Sequence, residues 1–323
     1  MNFRRRQLIH WAAGAAVLPF VSRRGRAGNY PSHAVRVIVG LPAGNSPDIV
    51  ARVMAQALSE RLGQPFVVEN RPGAATSIAT EVVVRAAADG YTLLLALAGN
   101  AVNQSVYKTL NYDFIRDIAP VASIGGIPLA MVVNPAVPAK SVPEFIAYAK
   151  ANPGKLLMAS SGNGSLPHIF GALFAMMAGI DLVHVPYKES VFPDLLGGQV
   201  QLAFEPVPAV VGYISADKLR PLAVTTKERL RILPNVPAVG EFLPGYEGSG
   251  WIGLGAPRNT PNDILETLNA AVTAALADAK LQAKLADLGV VPTAMTTAEF
   301  KDFTVAETAK WAKVVAFAHI TAE

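Results

Sequence analysis

Apolar residues recur along this chain with two different periods, and each period predicts its own kind of element. The segment Val35–Val39 carries four valines and isoleucines around one arginine, which predicts a strand. Small residues follow over 42–48, and apolar side chains then recur every three or four positions, which predicts a helix over 48–62. Gly63 supplies the residue without a side chain that commonly ends a helix.

The same alternation of strand and helix continues along the first third of the chain. Residues 66–69 and 91–96 predict further strands, with a helix between them over 78–87. Such alternation is typical of a doubly wound, mostly parallel sheet that is covered by helices. The predicted fold class is therefore α/β.

A change of pattern over 118–134 separates two such units. This β-rich stretch predicts a crossing into a second domain, and 245–255 predicts the return crossing. Two lobes joined by two crossings make a cleft that closes about a hinge. We expect domain 1 to hold residues 28–125 plus 251–323, and domain 2 to hold residues 126–250.

Further periodic segments complete the two lobes. The domain 2 pattern predicts helices and strands over 142–151, 155–159, 167–178, 184–187, 202–204 and 219–224. The last three predicted helices, over 261–276, 279–288 and 297–315, are expected to pack back on domain 1.

The first 27 residues have the features of a signal peptide. A basic start is followed by an apolar run of 14 residues over 8–21, which is short for a membrane span. Small residues at Gly25 and Ala27 favour cleavage after Ala27 and export to the periplasm. Arg5-Arg6 also resembles a twin-arginine signal, so the Sec and twin-arginine routes both stay open.

Charge and composition exclude several classes of function. The 323 residues carry a formal net charge of +4, but six arginines lie within the first 27 residues, which contain no acidic residue. The remaining chain has 22 basic and 24 acidic residues, a net of −2, so a nucleic-acid partner is not expected. With no cysteine and five histidines, no metal centre or other cofactor is expected either.

Two loops carry the candidate binding chemistry, because each follows a predicted strand and opens a predicted helix. They are 42–48 and 160–165, and both are rich in glycine, serine and asparagine. A helix start presents backbone N–H groups without an internal partner, and small residues let a ligand approach them. The helix dipole adds partial positive charge, so each loop predicts a site for a carboxylate or a phosphate.

Sequence signals for an enzyme are thin, and no catalytic residue is assigned. The chain has no Gly-x-Ser-x-Gly motif, and 160–165 lacks the pattern of a nucleotide-binding loop. His168 lies three residues after Ser165, which leaves open a secreted hydrolase that pairs them, although a histidine at a helix start is more often a cap or packing residue. Glu189 and Glu205 are either paired acids or solvated acids of the cleft. Trp251 either stacks on a ligand or packs at the hinge.

Segments spread over the whole chain after the leader resemble the tripartite tricarboxylate transporter substrate-binding proteins, also called Bug or TctC-like receptors. The resemblance is specific because the segments occur in the family's order. They are Tyr30-Pro31-Ser32, Val67-Val68-Glu69-Asn70-Arg71-Pro72-Gly73-Ala74, Asp89-Gly90-Tyr91-Thr92-Leu93-Leu94, Ser160-Ser161-Gly162-Asn163-Gly164-Ser165, His184-Val185-Pro186-Tyr187-Lys188, Leu195-Leu196-Gly197-Gly198-Gln199-Val200, Leu222-Ala223-Val224-Thr225, Leu233-Pro234-Asn235-Val236-Pro237, Pro244-Gly245-Tyr246-Glu247 and Ala256-Pro257.

This resemblance implies a fold, a ligand class and a partner. The fold would be that of the type II periplasmic binding proteins, and the protein a monomer that closes on a small carboxylate and delivers it to a membrane permease of two subunits. A receptor that feeds a sensor kinase stays open as an alternative. The candidate ligand contacts lie in 42–48, a Gly99-Asn100-Ala101 loop, 161–165 and the regions of Tyr187 and Glu205. They are Ala43, Gly44, Asn45, Ser46, Asp48, Asn100, Ser161, Gly162, Asn163, Gly164, Ser165, His168, Tyr187, Lys188, Glu189 and Glu205.

Several residues depart from the family pattern. The first loop resembles Pro-Pro-Gly-Gly-Gly-Thr-Asp, but this chain has Asn45 and Ser46 in place of glycines, and Pro47 has no backbone N–H to offer an anion. Glu189 stands where the family typically has glycine, and Glu205 where it often has Asp-Asn or Asp-Gly. An added acid in the cleft repels a plain dicarboxylate. We therefore hypothesise a carboxylate that carries an amino or amide group, or a monocarboxylate.

Overall fold

The computed structural model describes residues 30–107 and 109–321. The predicted signal peptide, with its cleavage site and its twin-arginine pair, lies outside the described residues. Within those two ranges, no helix is both long and apolar enough to cross a lipid bilayer.

The described residues form strands and helices in alternation. The strands are β1 (Val35–Val39), β2 (Phe66–Asn70), β3 (Thr92–Leu97), β4 (Ile118–Ile127), β5 (Leu129–Val133), β6 (Leu157–Ser160), β7 (Val183–Pro186), β8 (Leu202–Pro206), β9 (Arg220–Val224), β10 (Gly250–Pro257) and β11 (Val291–Pro292). The helices are α1 (Ser46–Leu62), α2 (Ser77–Val84), α3 (Ala98–Val106), α4 (Phe114–Asp117), α5 (Val142–Ala151), α6 (Leu166–Ala178), α7 (Phe192–Gly197), α8 (Val207–Ser215), α9 (Asn262–Leu276), α10 (Ala279–Asp287) and α11 (Thr297–Phe317).

Two separate sheets organise these elements into two lobes. The first sheet has the order β11-β4-β10-β3-β1-β2, and the second has the order β7-β6-β8-β5-β9. The chain passes from the first sheet to the second between β4 and β5, and it returns between β9 and β10. The two-lobed α/β architecture and its two crossings are thus confirmed, while the exact bounds of the two domains stay a prediction.

The prediction of mostly parallel sheets is wrong in part. Strands β1, β2 and β3 are parallel, as are β6, β7 and β8. However, β10 runs antiparallel to both of its neighbours, and so does β5. The reason is topological, because a strand that enters directly from the other lobe has no crossover helix to restore the parallel direction.

Local sequence explains where the helices begin and end. The side chain of Asn45 accepts a hydrogen bond from the Asp48 N–H at the start of α1, and Ser165 caps α6 in the same way through the His168 N–H. Gly63 ends α1 in the left-handed conformation, with φ +70°, and its N–H donates to the Ser59 carbonyl. The two helices predicted after glycine- and serine-rich loops therefore begin within two residues of the predicted positions.

Three expectations about helices need correction. Gly99, Asn100 and Ala101 lie in the first turn of α3 and not in a loop, because the apolar residues around them pack against the first sheet. Helices α4, α7 and α8 were not predicted, since each is short or lacks a clear apolar period. The last helix, α11, packs on α3 and β4 of the first lobe but also on α6 of the second.

The apolar core is continuous between the lobes at α11. One cluster of buried side chains contains Leu94 from the first sheet, Phe204 from the second and Trp311 from α11. The Trp311 ring is fully buried and stacks on Phe170 of α6, with ring centroids 5.2 Å apart. Separate clusters fill the opposite faces of the first and second sheets, as the alternation of side chains along β3 requires.

Candidate ligand-binding site

A cavity of about 430 Å³ lies between the two lobes. The first lobe contributes five lining residues, which are Ala75, Val102, Asn103, Val106 and Tyr107. The second lobe and the segment after α11 contribute Ser161, Gly162, Asn163, Gly164, Pro186, Tyr187, Lys188 and Thr321. Its size is that of a site for a small organic molecule, and its second-lobe wall lies beyond the carboxyl ends of β6 and β7, where ligands of α/β sheets commonly bind.

Residues 161–165, the cleft loop, form the wall of the cavity at the second lobe. Gly162 and Gly164 have φ values of +118° and +71°, which a residue with a side chain adopts only at a cost. A side chain at Gly162 would meet no other atom within 4 Å, so this face of the loop is open to the cavity. The loop leads into α6, whose first N–H groups have no helical partner. The arrangement suits a carboxylate.

Two stacked histidines support the cleft loop from behind. The rings of His168 and His184 lie 3.5 Å apart at an angle of 7°. His168 Nδ1 accepts a hydrogen bond from the Gly164 N–H, and His184 Nε2 lies 2.6 Å from the Ser160 hydroxyl. Burial lowers the pKa of both imidazoles, that of His168 to about 4 with a further contribution from His184. Both rings are therefore neutral near pH 7 and hold the loop through hydrogen bonds.

This geometry does not make a nucleophile of Ser165. Its hydroxyl accepts from the backbone N–H of His168 as a helix cap, and the imidazole of His168 is bonded to Gly164 instead. At the cleft loop, the serine that contacts an imidazole is Ser160, which is fully buried and also bonded to Gly162. His168 is thus a packing and loop-holding residue, as the sequence favoured.

The first loop, 42–48, is occupied by the carboxylate of one of its own residues, Asp48. The Asp48 carboxylate is 1% exposed and accepts hydrogen bonds from the Gly44 N–H, the Asn70 amide and the Arg52 guanidinium. These donors lower the pKa of Asp48 against the opposing effect of its burial. Ala43, Gly44, Asn45, Ser46 and Asp48 are not among the residues that line the cavity.

A left-handed turn formed by Ala74, Ala75 and Thr76 contributes Ala75 to the wall at the first lobe. Their φ values are +44°, +47° and +79°, and none of them is glycine. Asn100 is fully buried and donates to the hydroxyls of Thr76 and Thr80, and Asn103 donates to the Ala75 carbonyl. Asn100 therefore shapes the site from behind. The sequence carries no signal for this turn, because alanine and threonine disfavour the conformation that packing imposes.

The residues after β7 place one cation and one phenol at the cavity. Lys188 is exposed and lines the cavity, while Glu189 is exposed and does not. The Tyr187 hydroxyl donates to Asp194 Oδ2 over 2.6 Å, and burial together with that carboxylate raises the pKa of Tyr187 to about 12. The Tyr187 phenol is thus neutral near pH 7 and held in place by Asp194. Lys188 is the charged side chain among the lining residues.

Glu205 lies one strand away from the cleft loop. The parallel pairing of Ala159 with Ala203 brings Ser161 and Glu205, each two residues further on, to neighbouring strand ends. Glu205 is 8% exposed, and its buried Oε1 has no hydrogen-bond partner. Burial raises the pKa of its carboxyl to about 7. A buried acceptor without a partner is costly unless a ligand or a proton satisfies it.

The sequence therefore identified one wall of the cavity and missed the other. Of the candidate residues, the cavity brings together Ser161, Gly162, Asn163, Gly164, Tyr187 and Lys188. Asn100 lies behind the wall at the first lobe, and Ser165 and His168 lie behind the cleft loop. Glu189 and Glu205 lie beside the cleft-loop wall and do not line the cavity. Sequence reasoning missed Ala75, Asn103, Tyr107 and Thr321. Within residues 30–107 and 109–321, no group of three or more potential ligands for a metal ion comes together.

Comparisons with known proteins agree on one family. The family model described as the tripartite tricarboxylate transporter family receptor matches residues 50–319. Protein BugT of Bordetella pertussis (strain Tohama I) is 36% identical over 294 residues, which cover 90% of this chain and 90% of BugT.

Solved structures of similar proteins include two with bound acids. The structure of R. palustris Rpa4515 with adipate has a TM-score of 0.74 and 36% identity, and it covers 90% of this chain and 99% of that one. The structure of MatC from Rhodopseudomonas palustris with bound malate has a TM-score of 0.70 and 29% identity, and it covers 88% of this chain and 100% of that one.

Proposed function

This chain belongs to the tripartite tricarboxylate transporter receptor family, a family of periplasmic solute receptors, and from that premise we propose that it binds a small organic carboxylate in the cavity between its two lobes. The observation that carries the proposal is the cleft loop, where two glycines with positive φ open the backbone at the start of α6 to the cavity. Similar receptors were solved with adipate and malate, which are both dicarboxylates.

The two walls of the cavity would make different contacts with the ligand. One carboxylate of the ligand would contact the cleft loop and α6, with Lys188 adding a positive charge from the same lobe. The left-handed turn and Asn103 would close on the ligand from the first lobe. Closure of the two lobes about their crossings would then bury the ligand.

Neither of the two alternative functions is supported. Members of this family are binding receptors and not enzymes. The Ser165 hydroxyl caps α6, and the His168 imidazole accepts a hydrogen bond from the Gly164 N–H, so the two are not arranged as a nucleophile and its base. The sensor-kinase alternative likewise has no supporting observation. Delivery of the ligand to a membrane permease of two subunits, action as a monomer, and export by a Sec or twin-arginine signal cleaved after Ala27 remain parts of the proposal.

Glu205 refines the choice of ligand. Its Oε1 is buried without a partner beside the strand that carries the cleft loop, and no described cation contributes to its pKa. A ligand that carries an amino or amide group beside its carboxylate would supply the missing donor. A second carboxylate at this point would require Glu205 to take up a proton.

The test is a thermal-shift and calorimetric titration of the chain that starts at Gly28. The panel contains adipate, malate, aspartate, glutamine and a monocarboxylate. A ligand at ~100 times its dissociation constant adds about 2.7 kcal/mol to the free energy of unfolding. We expect at least one carboxylate to bind and Lys188→Ala to weaken it about tenfold.

The matched control is Lys218→Ala, which removes an exposed lysine that does not line the cavity. Equal losses in both variants would show that long-range charge, and not the site, attracts the ligand. Binding of plain dicarboxylates alone would contradict the preference for a donor group and leave the receptor function standing. Failure of every carboxylate to bind would contradict the proposed function itself.

A further inference from the structure

The segment that follows α11 reaches the ligand cavity. Thr321 lines the cavity together with Gly164 and Tyr187, although the family model ends at residue 319. Ile320 is 5% exposed, and its Cγ2 lies 3.8 Å from the point where a side chain would begin on Gly164. A segment outside the predicted site thus touches the loop on which carboxylate binding depends.

A specific helix ending directs the chain to this place. His319 adopts a left-handed conformation with φ +52°, and its N–H donates to the Ala316 carbonyl. The next N–H, that of Ile320, reaches back to the Val315 carbonyl over 3.0 Å. These two bonds define a Schellman motif, which turns the chain back across the helix end and buries the residue that follows the left-handed position. Ile320 is that residue.

The helix that carries this segment is fixed to both lobes. The Trp311 ring stacks on Phe170 of α6, and its Nε1 donates to Glu307 Oε2 over 2.8 Å. Lys310 Nζ donates to the Glu247 carbonyl in the return crossing over 3.0 Å. Helix α11 also packs on α3 beneath the first-lobe wall. If the angle between the lobes changes, residues 320–321 must therefore either move together with the cleft loop or lose contact with it.

We infer that Ile320 and Thr321 form part of the ligand-binding wall. Ile320 is a positioning residue that holds the cleft loop through Gly164, and Thr321 faces the ligand directly with a hydroxyl and a methyl group. The contact of Thr321 with a ligand rests on the proposed function. The positioning role of Ile320 does not, because it concerns the loop without ligand.

The first measurement follows the loop by amide hydrogen exchange in the ligand-free protein. Ile320→Ala should accelerate exchange over 161–165, while Ile320→Val should restore slow exchange because it keeps the branched side chain. Phe317→Ala is the matched control, since Phe317 is an exposed apolar side chain one turn earlier that does not line the cavity. Unchanged exchange over 161–165 in Ile320→Ala would overturn the positioning role.

The second measurement titrates adipate and the other members of the carboxylate panel. Ile320→Ala and Thr321→Trp should each weaken binding about fivefold or more, while Phe317→Ala should leave the dissociation constant within about twofold. A wild-type protein that binds, with both variants binding equally well, would overturn the inference. If the wild type binds no member of the panel, the proposed function fails, and the exchange measurement alone decides the role of Ile320.

Discussion

At the scale of single residues, two buried groups near the cleft respond to pH in opposite directions. Burial raises the pKa of Glu205 to about 7, so the folded protein binds more protons than the unfolded chain between about pH 4.5 and 7. Stability from this group is present at low pH and is lost as pH rises through that window. Burial lowers the pKa of His168 to about 4, so its contribution is lost as pH falls from about 6.5 to 4.

Replacing the buried acid should separate the two effects. Glu205→Gln keeps the shape of the side chain but cannot ionise, so the stability lost by the wild type as pH rises is retained in the variant. Relative to wild type, the variant should gain about 3 kcal/mol in free energy of unfolding between pH 4 and pH 8. Urea denaturation across that range measures the difference. Glu266→Gln, which removes an exposed carboxylate from α9, is the control, and equal pH profiles for both variants would contradict the prediction.

At the scale of elements, the left-handed turn is the most strained piece of the site. Three consecutive residues with side chains hold positive φ values, and Asn100 and Asn103 stabilise them through hydrogen bonds. Such conformations cost roughly 1–2 kcal/mol per residue and persist only where the surrounding structure enforces them. The hydrogen bonds from Asn100 and Asn103 hold the backbone of this turn in place before a ligand arrives, which lowers the ordering cost of binding.

Glycine should relieve that strain. Ala75→Gly removes the clash of the side chain with its own backbone, and we expect a gain of about 1 kcal/mol in the free energy of unfolding. The matched substitution Ala306→Gly, at an exposed position in the middle of α11, should instead cost about 1 kcal/mol. Thermal and urea denaturation measure both. A loss of stability in Ala75→Gly would mean that the turn is not strained in solution.

At the scale of the whole molecule, α11 joins the two lobes through one continuous core. Leu94, Phe204 and Trp311 belong to the same cluster although they come from different lobes and from the last helix. Since buried apolar area is shared, neither lobe keeps a complete core without α11. We expect the two lobes to unfold together rather than as independent domains.

Removal of Trp311 tests this connection. Trp311→Ala takes a fully buried ring from between α11 and Phe170 and leaves Glu307 without the indole donor. The free energy of unfolding should fall by about 3–5 kcal/mol. Urea denaturation followed by circular dichroism measures it, with Phe317→Ala on the exposed side of the same helix as the control. A loss below about 1 kcal/mol would contradict a shared core.

Much of the fold follows from local patterns in the sequence. The first predicted helix begins two residues late but ends at Leu62, and the helix predicted over 142–151 matches α5 at both ends. Caps and glycine stops explain this success, because they act over three or four residues. The same locality explains why 160–165 could be identified as a loop that opens a helix.

What the sequence determined by itself is the alternation of elements, the family, and the cleft loop with Lys188. These depend on neighbours in the chain or on segments kept in order. What only the tertiary structure decided is the wall at the first lobe, the bridging place of α11, and the contact of Ile320 with Gly164. Asp48 shows the difference most clearly. The sequence of its loop predicts a site for an anion, but in the folded protein the Asp48 carboxylate itself accepts hydrogen bonds from Arg52 and Asn70 there. The physical reason is that long-range packing and hydrogen bonding override local preference wherever distant segments meet.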